Sequence, residues 1–128
     1  MRLWIWEGAP TIGRFTVING TTQAELTSSA LTANTVVKAS NAYQVDNFAA
    51  SYNGGTVLTD TSGTVPVGFT QLNIGSQTGS AGFMNGHIRS LGYYNTRQPN
   101  ATLQTLTNPS TTPSLALNFL SDTYTVGA

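Results

Sequence analysis

FMNGHIRSLGYYNTRQPNATLQTLT, residues 83–107, holds a turn, a strand, a second turn and a short helix in that order. Asn85-Gly86 is a tight-turn pair, because glycine takes positive φ at no steric cost and asparagine tolerates it. The run HIRSLGYY that follows is rich in β-branched and aromatic residues. Its period of two slips by one residue between Ile88 and Leu91, which makes Gly92 a place for a bulge or a close backbone approach. Asn95 to Pro99 turns the chain again. Asn100 is placed to cap a helix in which Leu103 and Leu106, three apart, share a face.

Working outward, the residues upstream show the same grammar of short apolar runs between turn signals. RLWIW (2–6) is a strand covered on both faces, and its two Trp bury much area if packed. Phe15 to Ile18 is a second strand, ended by Asn19-Gly20. Residues 21–33 fit neither a helical nor a strand period and read as a strand edge plus loop. Thr35 to Ala39 is a buried strand. Residues 48–52 and 56–58 form a hairpin across Asn53-Gly54-Gly55. Residues 60–68 are a loop, 69–74 a strand with a bent start, and 77–82 a Gly/Ser loop at one rim.

Beyond Thr107 the composition changes. NPSTTP (108–113) is a linker with two prolines. The tail, 114–128, contains a strand in which Leu115, Leu117 and Phe119 alternate with small or polar residues. Left in water, that face would be an aggregation hazard. It is therefore expected to pair, either completing its own sheet or adding to a neighbouring copy, and the prolines tilt the expectation toward exchange. The organisation is thus a β domain over 1–107, a linker over 108–113 and an assembly tail over 114–128.

A chain of 128 residues suits one domain. Charged residues make up 8% and the net charge is zero, with the five Lys/Arg scattered, so the pattern points away from nucleic acid, which needs clustered cations. No run approaches the ~18 apolar residues of a membrane span, and residues 1–10 lack a signal-peptide core. Without Cys there is no disulfide and no thiol chemistry. Thr, Ser, Asn and Gly are abundant. With 39% apolar residues in short runs, this is the composition of an all-β domain with solvated Thr/Ser faces.

Few residues carry chemistry. His87 is the single histidine, with neither a second soft ligand nor a Gly-x-Ser-x-Gly nucleophile motif, and reads as a strand-end residue. Glu7, Glu25, Asp46, Asp60 and Asp122 are scattered, whereas a glycosidase needs two carboxylates about 5 to 10 Å apart. Asp46 and Asp60 read first as turn aspartates and second as calcium ligands at a sandwich rim. Apart from that calcium option no cofactor is implied. Tyr52, Asn53 and Tyr94 are the candidates for carbohydrate binding, since a sugar site combines aromatic rings with amides. Tyr93, on the opposite face of its strand from Tyr94, is expected in the core.

The 83–107 stretch resembles the closing segment of laminin-G-like (concanavalin A-like) jelly-roll domains found in virion proteins of tailed bacteriophages. Asn85-Gly86, Ile88, Tyr93-Tyr94, Arg97 and Leu103/Leu106 stand where that segment has its glycine turn, tyrosine-ended strand, arginine turn and leucine-bearing helix. Upstream, VVKAS (36–40), DNFAASYNGG (46–55) and FTQLNIGS (69–76) resemble the preceding strands. One departure is at the helix start, where Pro99 and Thr102 replace the family's Ser-x-x-Glu capping box, so a short or frayed helix is expected. The resemblance implies an antiparallel β-sandwich with one short helix near the C-terminal third. It also implies a non-enzymatic structural protein of a tailed-phage particle, made in the bacterial cytoplasm, either decorating the capsid or belonging to a tail fibre or spike. Its partners would be other copies and other virion proteins, with no membrane insertion. The alternative is an adhesion module recognising host-surface glycans; a glycan-cleaving enzyme comes third, for want of a carboxylate pair.

Overall fold

The computed structural model describes residues 2–6, 11–68, 70, 72–76, 83–84 and 86–110. Six strands precede one helix: β1 (Arg2–Trp6), β2 (Ile12–Asn19), β3 (Thr21–Thr27), β4 (Ala39–Ala42), β5 (Phe48–Tyr52), β6 (Leu58–Asp60) and α1 (Asn100–Thr107). They make two antiparallel sheets of three strands, ordered β1-β2-β3 and β4-β5-β6. The fold is all-β with one short helix.

The two sheets share one apolar core. On β2 and β3, Phe15, Val17, Ala24 and Leu26 alternate inward. Phe48, Ala50 and Tyr52 of β5 meet them from the other sheet. Phe15 and Phe48 are fully buried, and each contributes about 1.5–3 kcal/mol through its lost contact with water. The outer face of β2 and β3 is polar. Arg14 and Glu25 lie 3.7 Å apart there, both about half exposed, where water screens the pair to about 0–1 kcal/mol.

β5 is buried along its whole length because it is covered on both faces. Its odd phase, Ala49 and Ser51, faces α1 rather than the second sheet. Small side chains at those positions let the helix approach closely. Leu103 packs on Ala42 and Ala49 with Val57 alongside. Thr107, fully buried, shares a hydrogen bond with Ser51 Oγ at 3.0 Å and accepts one from the Gly54 amide at 3.1 Å. Its own hydroxyl also lies 3.1 Å from the Leu103 carbonyl. Ser40 Oγ donates to the Leu103 carbonyl, and Gln104 Nε2 donates to the Gly54 carbonyl. The helix is therefore stitched to the β5 turn by polar bonds around one leucine.

The turn after β5 has the expected chemistry. Asn53 (φ 49°) and Gly54 (φ 72°) are both left-handed, and the Gly55 amide donates to the Tyr52 carbonyl at 2.9 Å, the geometry of a type I′ turn. The returning strand starts later than expected, at Leu58 rather than Thr56. The ladder pairs Ala50 with Leu58, one residue out of step with the turn, so residues 55–57 absorb an extra position.

Other expectations require correction. The strand expected over 35–39 begins only at Ala39, and Val36 is exposed. The ambiguous 21–33 stretch contains a seven-residue strand, paired along β2 and bulged between Val17 and Ile18. That bulge breaks the simple period. Asn100 is the first helical residue, not the cap; Pro99 occupies the cap position and makes no side-chain cap bond. Leu103 is buried, but Leu106 is exposed and Thr107 takes the inner position four residues on. The strands expected over 69–74 and 87–94 are not formed among the described residues, and Tyr93 is 78% exposed rather than in the core. Asn85 of the expected turn, the rim loop over 77–82 and the tail with Leu115, Leu117 and Phe119 lie outside the described residues.

Candidate functional site

The three residues expected to meet a sugar do not form one surface. Tyr52 ends β5 and points into the core, where it is only 6% exposed. Its ring lies against Gly13 of β2, at a point where any β-carbon would overlap it. An aromatic platform needs an open face, and the Tyr52 ring instead packs closely on Gly13. Its hydroxyl is buried and has no hydrogen-bond partner. Burial pushes that hydroxyl from its ordinary 10 up to about 12, since a phenolate would be stranded away from water.

Asn53 is likewise committed. Its side-chain oxygen accepts from the Lys38 amide at 2.8 Å, and its own amide donates to the Lys38 carbonyl at 2.9 Å. The side chain prolongs the β4–β5 ladder into the turn and does not offer that oxygen to a ligand. Tyr94 is about half exposed and belongs to the unstructured stretch after Gly86. Its neighbour Tyr93 hydrogen-bonds Tyr43. The Tyr43 hydroxyl is raised above its ordinary value by burial first and by Tyr93 second.

A cleft of about 240 Å³ opens beside Tyr52, lined by Ser28, Ser29, Leu31, Gly55, Thr56 and Leu58. Drug-sized ligands occupy roughly 300–1,000 Å³, so this space suits one ring-sized group. Ser28 already has two roles. Its hydroxyl accepts from the Gly13 amide at 2.8 Å and donates to the Ser29 carbonyl at 2.7 Å.

Asp46 and Asp60 both serve the loop around Gly63. Asp46 Oδ1 accepts from the Gly63 amide at 2.9 Å, and the Asp46 amide donates back to the Gly63 carbonyl at 3.0 Å. Asp60 Oδ1 accepts from the Ser62 amide at 3.0 Å, an Asx turn. These are the turn roles that were the first expectation. Among the described residues no three His, Cys, Asp or Glu side chains come together. His87 is exposed, on a stretch without regular structure.

Two polar constellations escaped the sequence reading. Arg97 bridges the β4–β5 turn to the helix start, donating to Asn47 Oδ1 at 2.8 Å, to Asn100 Oδ1 at 2.6 Å and to the Gln98 carbonyl at 2.7 Å. Gln23 on β3 accepts from the Thr64 amide and hydroxyl, while Asn19 Nδ2 donates to the same hydroxyl. Both link residues about 40 to 50 apart in sequence, and neither left a local pattern to find.

The described residues of 67–94 are of another kind. Nine of the twelve large apolar side chains that are exposed among the described residues fall there, Val67, Leu72, Phe83, Leu91 and Tyr93 each keeping more than 60% of their surface. Among the described residues, the backbone of 86–96 makes no hydrogen bond to other backbone.

No protein-family model, no curated protein and no solved structure matches this chain.

Proposed function

We propose that this protein is a non-enzymatic structural component of a tailed-phage particle, either a capsid decoration or part of a tail fibre or spike. The observation that carries the reading is the number of exposed large apolar side chains among the described residues of 67–94. Soluble monomers rarely expose contiguous apolar patches beyond a few hundred Å². A charge-poor β domain with this many exposed apolar side chains suits a place among neighbouring proteins. In the sequence, the order of motifs from VVKAS (36–40) to the leucine-bearing segment after Pro99 resembles a laminin-G-like jelly roll, the architecture in which the resemblance places such virion proteins. The protein is then made in the bacterial cytoplasm and ends in the particle.

Quantitative mass spectrometry on purified particles from a producing host tests this. A fixed copy number, in the tens or hundreds per particle, is expected; absence from particles sinks the reading.

A second reading, a carbohydrate-binding adhesion module, is favoured by one observation. The cleft beside Tyr52 carries the hydroxyl-bearing residues Ser28, Ser29 and Thr56 next to Leu31 and Leu58, a mixture suited to a single sugar ring. Saturable binding on a glycan array, lost in Thr56→Val, would favour it over the structural role.

A further inference from the structure

We propose that Asn19 is a site of spontaneous covalent modification, where attack by the Gly20 amide nitrogen converts the asparagine to aspartate and isoaspartate. The proposal stands apart from the virion and glycan readings. It rests on how differently the fold treats its Asn-Gly pairs.

The chain has three such pairs, Asn19-Gly20, Asn53-Gly54 and Asn85-Gly86, and Asn85 lies outside the described residues. Asparagine is most reactive before glycine, because no β-carbon shields the following amide nitrogen. In the reaction the Gly20 N–H gives its proton to hydroxide, and the nitrogen bonds to Asn19 Cγ. The Cγ–Nδ2 bond breaks, and Nδ2 leaves as ammonia with a proton taken from water. Water then opens the succinimide ring at either carbonyl. In sum, asparagine and water give ammonia and either aspartate or isoaspartate, the latter with the backbone rerouted through the side chain.

The fold obstructs this step at Asn53 and leaves it open at Asn19. The Gly54 N–H donates to Thr107 Oγ1 at 3.1 Å, and Asn53 Oδ1 accepts from the Lys38 amide at 2.8 Å. Nucleophile and side-chain amide are thus both held, and Asn108 covers Gly54. At the β2–β3 turn, Asn19 and Gly20 are exposed, and a β-carbon on Gly20 would meet nothing within 4 Å. Neither the Gly20 N–H nor Asn19 Oδ1 has a hydrogen-bond partner among the described residues. The Asn19 side chain is tied by one exposed bond, from Nδ2 to Thr64 Oγ1 at 2.9 Å, which water can replace. The Asn19 carbonyl accepts from Gln23 Nε2 at 3.4 Å, which favours the negative charge that this oxygen shares once the Gly20 amide has lost its proton. Both glycines have φ 72°, so the contrast lies in the hydrogen bonds and not in the glycine backbone. The product has no Nδ2 donor for Thr64 and adds a negative charge to a chain whose formal charge is zero.

Peptide mass mapping of the purified, folded full chain, held at neutral pH and body temperature for weeks, reads conversion at each pair. Chromatography that separates isoaspartyl from aspartyl peptides reads the route through the succinimide. Asn19 is expected to convert at least tenfold faster than Asn53, with isoaspartate in the product. In guanidinium chloride, where the fold no longer protects Asn53, the two rates are expected to converge. An Asn19 that stays unconverted, or converts no faster than Asn53, overturns the proposal. A difference that persists undiminished in the unfolded chain also overturns it, since flanking residues would then set the rates. Aspartate without isoaspartate overturns it as well, because water and not the Gly20 nitrogen would be the attacking group. Asn19→Gln forms the corresponding larger ring far more slowly, and is expected to abolish the signal at position 19 while leaving the rate at Asn53 unchanged; an undiminished signal there would refute the assignment.

Discussion

Tyr52 concentrates the opposing demands placed on single residues in this fold. Its ring fills the space Gly13 leaves, while its hydroxyl sits buried without a partner. An orphaned buried hydroxyl costs about 1–3 kcal/mol, so Tyr52→Phe is expected to stabilise the domain by about 1 kcal/mol in urea unfolding. A loss of stability would mean the hydroxyl has a partner after all. The same group sets a pH dependence. Above pH 10 the unfolded chain releases this proton, whereas the folded chain holds it to about 12. Its contribution is thus fully present below pH 10 and is lost as pH rises to 12, by about 2–3 kcal/mol. Tyr52→Phe is expected to flatten that decline, with a remnant from Tyr43. Gly54 is equally constrained. It sits at φ 72°, and an added β-carbon would lie 3.1 Å from the Asn108 Cα. Gly54→Val is expected to cost roughly 1–3 kcal/mol, read as a lower melting temperature.

At the level of elements, α1 depends on its contact with β5 more than on its own sequence. It lacks a side-chain cap and has neither an acid in its first turn nor a base in its last. Eight residues without those aids do not hold a helix in water. What holds it is Leu103 on Ala49 and the Thr107 hydroxyl among Ser51, Gly54 and Leu103. Leu103→Ala is expected to cost about 2–5 kcal/mol, and Leu106→Ala, on the exposed side, within about 0.5 kcal/mol. Equal losses at both positions would show that the helix packs differently. Thr107→Val keeps the shape but leaves the Gly54 amide without its acceptor, while the Ser51 hydroxyl keeps the Gly55 carbonyl, at about 1–3 kcal/mol.

For the whole molecule, the acidic side chains near Gly63 are spent on the fold. Asp46 and Asp60 each spend an oxygen on the loop near Gly63, so calcium at millimolar concentration is expected to leave the melting temperature unchanged. A rise with added calcium, reversed by chelation, would revive the rim-site idea, because a ligand that binds only the folded form stabilises it. Particles carrying Asp46→Asn or His87→Ala are expected to keep any glycan-cleaving activity they show. Its loss in either, with the fold intact, would overturn the non-enzyme reading.

Local signals were sufficient where one short-range effect dominated. The strand over 48–52, the Asn53-Gly54 turn and a short helix carrying Leu103 were legible, because backbone propensity and burial agree there. The turn roles of Asp46 and Asp60 were legible too, since an Asx side chain satisfies its own loop. Tertiary structure decided the rest. Whether Tyr52 faced a ligand depended on the gap at Gly13, some forty residues away. Whether Leu106 or Thr107 turned inward depended on the Gly54 amide, which finds its acceptor in the Thr107 hydroxyl. Residues 87–94 have the pattern of a strand, yet a strand exists only where a neighbouring backbone answers its hydrogen bonds. Composition fixes the appetite for pairing; only the three-dimensional arrangement of the other strands determines whether it is met.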